Sequence, residues 1–318
     1  MLYRRLGNSG LKVSALSLGS WQTFGLAVDD SSTAAIMQAA YEAGINFFDG
    51  AENYGPYLAE EAMGRVFRRF GWRRDTLVIS SKVSCNPELG LLRHGLSRKH
   101  LVEACDQALQ RLGLDYLDLL FCHRPDPDTP LEETVRAMNE LIQRGKILYW
   151  GTSEFSAADL LEMHAIAGKL GLVGPLMEQS RYSLLHRARL ERELLPLFES
   201  FGMGTTIWSP LEFGLLTGKY NEGIPSDSRG ARDPRWIERI RADGGLEKAR
   251  ALGAIARGLG VAQGPLALAW TLKNPHVSTA ILGASKPEQV QENLGALDIL
   301  PLLTPDVMAR IDAVFPPV

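Results

Sequence analysis

The sequence is short of the features that mark most specialised chemistries. Its three cysteines, Cys85, Cys105 and Cys122, make an odd count with no CxxC pair. That argues against a disulfide framework or a zinc knuckle and points to a reducing, cytoplasmic setting. Six histidines are scattered without an HExxH spacing, so no metal site is expected. Neither sign of charge dominates: 34 basic against 37 acidic residues leave a net of −3, which gives no electrostatic footprint for nucleic acid or an anionic membrane. Apolar runs are short. Leu266–Leu272, itself broken by Thr271, is far below the ~20 residues of a membrane span. The opening stretch Met1-Leu2-Tyr3-Arg4-Arg5-Leu6-Gly7 has no apolar core of signal-peptide length. Nor does a GxGxxG follow the first strand. The nearest match, Gly258-Leu259-Gly260-Val261-Ala262-Gln263-Gly264, has the wrong spacing and reads as a helix C-cap and linker.

What is present is ordinary globular composition, 45% apolar and 22% charged, in a repeating order. Short β-rich runs fall at Val13–Gly19, Ile45–Asp49, Thr76–Lys82, Tyr116–His123, Ile147–Thr152, Pro175–Gln179, Thr205–Ser209 and Ser278–Gly283. Some are almost continuously apolar, as strands covered on both faces are. Helical periodicity lies between them, at Ser32–Ala43, Ala59–Phe70, Ser97–Leu112, Pro130–Arg144, Ala157–Leu170, Leu190–Phe201, Leu246–Gly258 and Gly264–Asn274. Thr129-Pro130-Leu131-Glu132 and Ser156-Ala157-Ala158-Asp159 have the form of capping boxes, and Gly44 and Gly113 fall where helices should stop. Tyr3–Leu6 and Leu11–Ser14 read as a hairpin around Gly7-Asn8-Ser9-Gly10. Glu212–Gly245 is a long polar segment of the kind that forms a lid or binding loop. Eight βα units without a compositional break predict one (β/α)₈ barrel domain over residues 1–318, preferred to an open doubly wound sheet.

Barrel active sites form at the C-terminal ends of the strands. The strand-closing residues here are Ser20 with Trp21, then Asp49, Lys82, His123, Ser153, Gln179, Ser209, and Gly283 with Ser285. Asp49 with Tyr54 could be no more than a helix cap and a rim ring. Lys82, delivered to the same face, needs a counter-charge, because an unpaired buried ammonium is costly. Asp49 is its natural partner, and a lysine near Tyr54 is expected to lower the phenol's pKa from about 10. Tyr54 can then act as general acid and His123 as carbonyl orienter. No nucleophile or metal set accompanies them, so the reductant must be a cofactor. Ser285-Lys286-Pro287-Glu288 reads as a capped helix start that offers N–H groups to a phosphate. Lys286 and Arg229 suit an extra ribose phosphate, and so NADP rather than NAD.

These stretches resemble one family over essentially the whole chain. Leu18-Gly19-Ser20-Trp21, Gly44–Asp49 with Tyr54, Gly71-Trp72-Arg73-Arg74, Gly95–His100, Arg124-Pro125-Asp126-Pro127, Thr134–Met138, Tyr149–Ser153 and Gly283-Ala284-Ser285 are similar to the aldo-keto reductases. Within that family they are nearest the branch of the voltage-gated potassium channel β subunits and their bacterial relatives. The resemblance implies NADPH-dependent reduction of aldehydes or ketones. The catalytic group would be Asp49, Tyr54, Lys82 and His123. Ser20, Trp21, Asp49, Ser153 and Gln179 would sit at the nicotinamide. Trp208, Ser209, Pro210, Leu211 and Lys219 would line the pyrophosphate. Arg229, Gly283, Ser285, Lys286, Gln289, Glu292 and Asn293 would hold the adenosine end. It also implies a homo-oligomer, a tetramer in the channel branch. The departures are His123 where the channel subunits carry Asn, Gly50 for a usual Thr (a looser turn), and Glu154 for Arg beside the cofactor. A cofactor-binding regulatory subunit with slow chemistry is the alternative.

Overall fold

The computed structural model describes residues 1–86, 90–226, 228–232, 235, 238 and 244–317, the side chains of 229 and 232 excepted. A closed eight-stranded parallel barrel forms from β3 (Leu16–Gly19), β4 (Phe47–Asp49), β5 (Val78–Val83), β6 (Leu117–Cys122), β7 (Ile147–Ser153), β8 (Met177–Gln179), β9 (Gly204–Ile207) and β10 (Val277–Leu282). The last strand closes on the first through Ala280 opposite Leu16. Helices alternate with the strands, so the fold is a (β/α)₈ barrel.

Alternation along each strand decides what faces the barrel interior. Phe47, Val78, Leu119, Phe121 and Met177 pack together inside, while Phe48, Ile79, Leu120 and Cys122 pack outward against the helices. The antiparallel pair β1 (Tyr3–Arg5) and β2 (Lys12–Ser14) forms the expected hairpin. Leu6 and Val13 from this hairpin join the interior cluster. Asn8 donates its backbone N–H to Gly202 O (2.8 Å), and Arg4 donates to Leu272 O and Val277 O, which seals the hairpin across the N-terminal end.

Helix ends differ in instructive ways. Ser156 and Asp159 form the expected capping box at Ala157–Leu170, and Gly113 ends Arg98–Leu112 in the left-handed region. The box expected at Thr129 is absent. Thr129 Oγ1 donates instead to Asp126 Oδ2 (2.6 Å), and Leu131–Gln143 begins behind Pro130. The helix expected over Leu190–Phe201 divides into a π-helical turn, Arg189–Glu193, and an α-helix, Leu195–Phe201. Pro196 in its first turn has no N–H to continue the ladder. The expected long segment Glu212–Gly245 opens with 3₁₀ turns over Glu212–Thr217 and contains the short helix Arg229–Arg232; part of it lies outside the described residues.

No single helix among the described residues is long and apolar enough to cross a membrane.

Candidate active site

The interior parity that buries Phe47, Val78 and Leu119 carries upward to polar side chains. Asp49 closes β4, and Ser80 and Lys82 point inward from β5. His123 follows β6, while Ser153 and Gln179 close β7 and β8. Lys82 is fully buried, with Nζ 2.5 Å from Asp49 Oδ2 and 2.7 Å from Gly50 O. Asp49 Oδ1 accepts from Ser80 Oγ (2.7 Å) and Gln179 Nε2 (3.2 Å). Every charged atom of this buried pair is therefore matched, as burial demands. The turn at Gly50 is not loose, contrary to expectation. Its N–H donates to Ser80 O (3.1 Å) while its carbonyl accepts from Lys82.

Tyr54 lies over this pair, with Lys82 Nζ 4.8 Å from its ring centroid. The His123 ring stands edge-on to it at 5.6 Å. The loop carrying Tyr54 is stapled by Glu52, which is buried, accepts the Ser84 N–H (2.6 Å) and lies 3.5 Å from His100 Nε2. Sequence reasoning passed over Glu52 because its partners lie on other elements.

The electrostatics correct one expectation. Burial pushes the Tyr54 hydroxyl above the ordinary phenol value, and the Asp49 charge adds to the rise; Lys82 and Arg124 offset only part of it. The expected net lowering does not occur, because the desolvation of a largely buried phenol outweighs one neighbouring ammonium. Burial works against the Lys82 ammonium too, but Asp49 and Tyr54 outweigh it, so its pKa rises. His123 is driven well below its usual value by burial, then by Lys82 and Arg124, so its imidazole is neutral. Its Nδ1 is buried with no hydrogen-bond partner. A histidine satisfied by backbone, the plainer alternative, is thereby excluded.

A cleft of about 960 Å³ opens above these groups, at the upper end of the ~300–1,000 Å³ typical of small-molecule sites. Trp21, Asp49, Tyr54, His123, Ser153, Gln179, Trp208, Ser209, Pro210, Leu211, Lys219, Gly283, Ser285, Lys286, Gln289, Glu292 and Asn293 all line it. Lys82 lies beneath its floor. Ser20 is buried off the cleft, its hydroxyl donated to Asp49 O (3.0 Å). The Arg229 side chain lies outside the described residues. Residues not singled out beforehand also line the cleft, including Asn53, Arg124, Arg181 and Phe213. They sit one to four positions past the strand-closing residues or in the long loop, and reading one residue per strand end does not reach them.

The cleft suits a dinucleotide. Helix Pro287–Leu294 presents an N-terminus without a side-chain cap, Pro287 in its first turn. The box expected between Ser285 and Glu288 is absent because the helix starts behind Lys286, and Gln289 Oε1 takes the Ser285 N–H instead (2.7 Å). Such an N-terminus favours a phosphate. At Gly283 an added Cβ would meet nothing within 4 Å, so ligand can approach the backbone. Glu154 does not line the cleft. Its Oε1 holds Trp208 Nε1 and the Arg181 N–H, both at 2.8 Å. Cys122 is buried in the outer core, where burial raises its thiol pKa and makes it inert.

A parallel barrel with a polar cleft at its strand C-termini and a Tyr–Lys–Asp–His floor defines a class of oxidoreductases, and the aldo/keto reductase family model matches residues 15–315. The chain belongs to that family. It is 49% identical over 317 residues to a probable voltage-gated potassium channel subunit beta of Oryza sativa subsp. japonica, covering 99% of this chain and 96% of the relative. The corresponding protein of Arabidopsis thaliana matches with the same identity and coverage. A putative one of Schizosaccharomyces pombe is 46% identical over 318 residues, 98% of this chain and 92% of the relative.

Proposed function

We propose that the protein is an NADPH-dependent oxidoreductase that reduces aldehydes or ketones to alcohols. The observation that carries this reading is the meeting, at the floor of one cleft, of a protonated phenol, a buried ammonium and a neutral imidazole. Bound NADPH supplies the hydride, from nicotinamide C4. His123, neutral and lining the cleft, hydrogen-bonds the substrate carbonyl and orients it. Tyr54 gives its proton to the carbonyl oxygen as charge develops there. Lys82 then stabilises the phenolate left behind, and Asp49 holds Lys82 in its charged form. Ser153 and Gln179 hold the nicotinamide amide; Trp208, Ser209, Pro210, Leu211 and Lys219 hold the pyrophosphate. Ser285, Lys286, Gln289, Glu292 and Asn293 hold the adenosine end, with Lys286 at the ribose phosphate. A second reading is supported by the names of the relatives: a cofactor-holding subunit of a potassium channel assembly, with slow chemistry.

Tyr54→Phe tests the mechanism. General acid catalysis contributes about 10²–10⁴-fold, so kcat for aldehydes is expected to fall by that order. Quenching of tryptophan fluorescence by NADPH persists in the variant, since Trp21 and Trp208 line the cleft. An unchanged kcat would remove Tyr54 from the mechanism. Quenching of the unmodified protein without aldehyde turnover would favour the second reading. Equal dissociation constants for NADPH and NADH would contradict the role given to Lys286.

A further inference from the structure

We infer that the substrate carries an anionic group, a carboxylate, and that Arg124 binds it; the inference rests on the reductase reading above. Arg124 follows His123 directly and lines the cleft at its rim. Its Nη1 donates to two acceptors, the His123 carbonyl and Ser153 Oγ (2.9 Å). Both hydrogens of that nitrogen are thereby used, which pins the plane of the guanidinium. The other edge, Nε and Nη2, has no acceptor among the described residues, and Arg124 has no carboxylate partner there. That edge is the one that pairs side-on with a carboxylate through two parallel hydrogen bonds.

The neighbours support a vacant role rather than a structural one. Arg181, the other arginine at the cleft, is committed: Nε and Nη2 go to Glu212, and its guanidinium lies over Trp208 and Phe213. Of the acids lining the cleft, Asp49 is bound to Lys82, and Glu292 lies on the helix after β10. Among the described residues, nothing anionic is left at the Arg124 edge.

Position separates Arg124 from the phosphate end of the cofactor. In the ring of strands β6, which delivers Arg124, stands opposite β10, which leads to the phosphate-binding helix. Arg124 is instead close enough to the reacting groups for its charge to act on both Tyr54 and His123. A carboxylate held there leaves the carbonyl of the same molecule facing the phenol and imidazole, over a rim that includes Trp21 and Phe213, whose rings meet at 6.0 Å.

The test compares matched pairs, butanal with 4-oxobutanoate and benzaldehyde with 4-carboxybenzaldehyde, with NADPH as reductant. A charge-assisted bidentate contact favours the carboxylated member by about tenfold or more in kcat/KM, mainly through KM. In Arg124→Ala that ratio falls to near one; Arg124→Lys, which keeps the charge and loses the fork, restores part of it. The NADPH dissociation constant moves by less than about threefold, because Ser153 Oγ keeps its own hydrogen bond to Gln179 O (2.9 Å) when the Arg124 donor is lost. A ratio near one in the unaltered protein overturns the inference, as does a ratio that survives Arg124→Ala. So does equal loss for both members together with weakened NADPH binding, which would make Arg124 a cofactor residue. Turnover of neither member defeats the reductase reading itself, whereas turnover without preference defeats only the carboxylate.

Discussion

In the proposed mechanism, Tyr54 and Lys82 divide between them a task that neither performs alone. A general acid must hold its proton until charge appears on the substrate, and then release it. Burial keeps the Tyr54 proton in place, while Lys82 and Arg124 make the phenolate tolerable once formed. The sign of the pH dependence follows. Tyr54 acts only when protonated, so activity is lost as pH rises through its pKa, which lies above the ordinary value of about 10. His123 acts when neutral, and its pKa lies well below the ordinary value of about 6.5. The kcat/KM for an aldehyde should therefore be flat between about pH 6.5 and 9.5 and fall only at the alkaline end. An alkaline limb centred near pH 7 would show that Lys82 dominates Tyr54 after all. The identities of these residues were legible in the sequence, because a strand that is apolar at alternate inward positions must deliver its closing residue to the same interior. The direction of the Tyr54 shift was not, because depth of burial is set by Trp21, Ala51 and Ala59 packed around it, which no local pattern records.

Elements repeat the same contrast between local signals and contacts made at a distance. All eight barrel strands and most of the helices between them were readable from periodicity, whereas the division of Leu190–Phe201 and two of three capping boxes were not. Thr129 and Ser285 have the right neighbours in sequence, but Asp126 and Gln289 reach the capping atoms first. The exit of β9 is another case. Ser209, Glu212 and Phe213 all adopt positive φ, which for such residues costs of order 1 kcal/mol each. The Glu212 carboxylate, buried and bound by Arg181 and by Ser183 Oγ (2.6 Å), holds that turn against the cleft. Gly64 gives this scale its sharpest test. It lies mid-helix in Leu58–Phe70, where replacing glycine by alanine ordinarily gains about 1 kcal/mol of helix stability. Here an added Cβ would lie 2.1 Å from Arg111 O and 2.9 Å from Leu112 Cα. Backbone cannot swing aside as a side-chain tip can, so the two helices must separate, and overpacking of this kind costs about 1–3 kcal/mol. Gly64→Ala should lower the urea midpoint despite its better helix propensity. A raised midpoint would mean that the helix pair has slack.

Across the whole molecule, stability and chemistry are placed at opposite ends of one barrel. The N-terminal end is closed by the hairpin, with Leu6 and Val13 fully buried against Phe47, Val78, Leu119, Phe121 and Met177. The C-terminal end is a cleft with a matched ion pair at and beneath its floor and a neutral imidazole beside it. Parallel strands connect the two ends, so a change at one reaches the other only if it alters strand register. Leu6→Ala removes interior volume that the hydrogen-bonded hairpin, tied through Leu6 N–H to Leu11 O (2.9 Å), cannot collapse to fill. Its cost should be about 2–5 kcal/mol. Register is fixed by eight paired strands and not by one side chain, so the NADPH dissociation constant and the kcat of the folded variant should change by less than about twofold, in keeping with the independence of distant sites. The measurement is urea unfolding beside NADPH titration on the same preparation. The proposed cofactor site exists only in the folded barrel, so saturating NADPH should raise the midpoint of the variant and of the parent by the same free energy. A smaller increment in Leu6→Ala would show that loosening the closed end spreads to the cleft, and that the two ends are coupled through the strands.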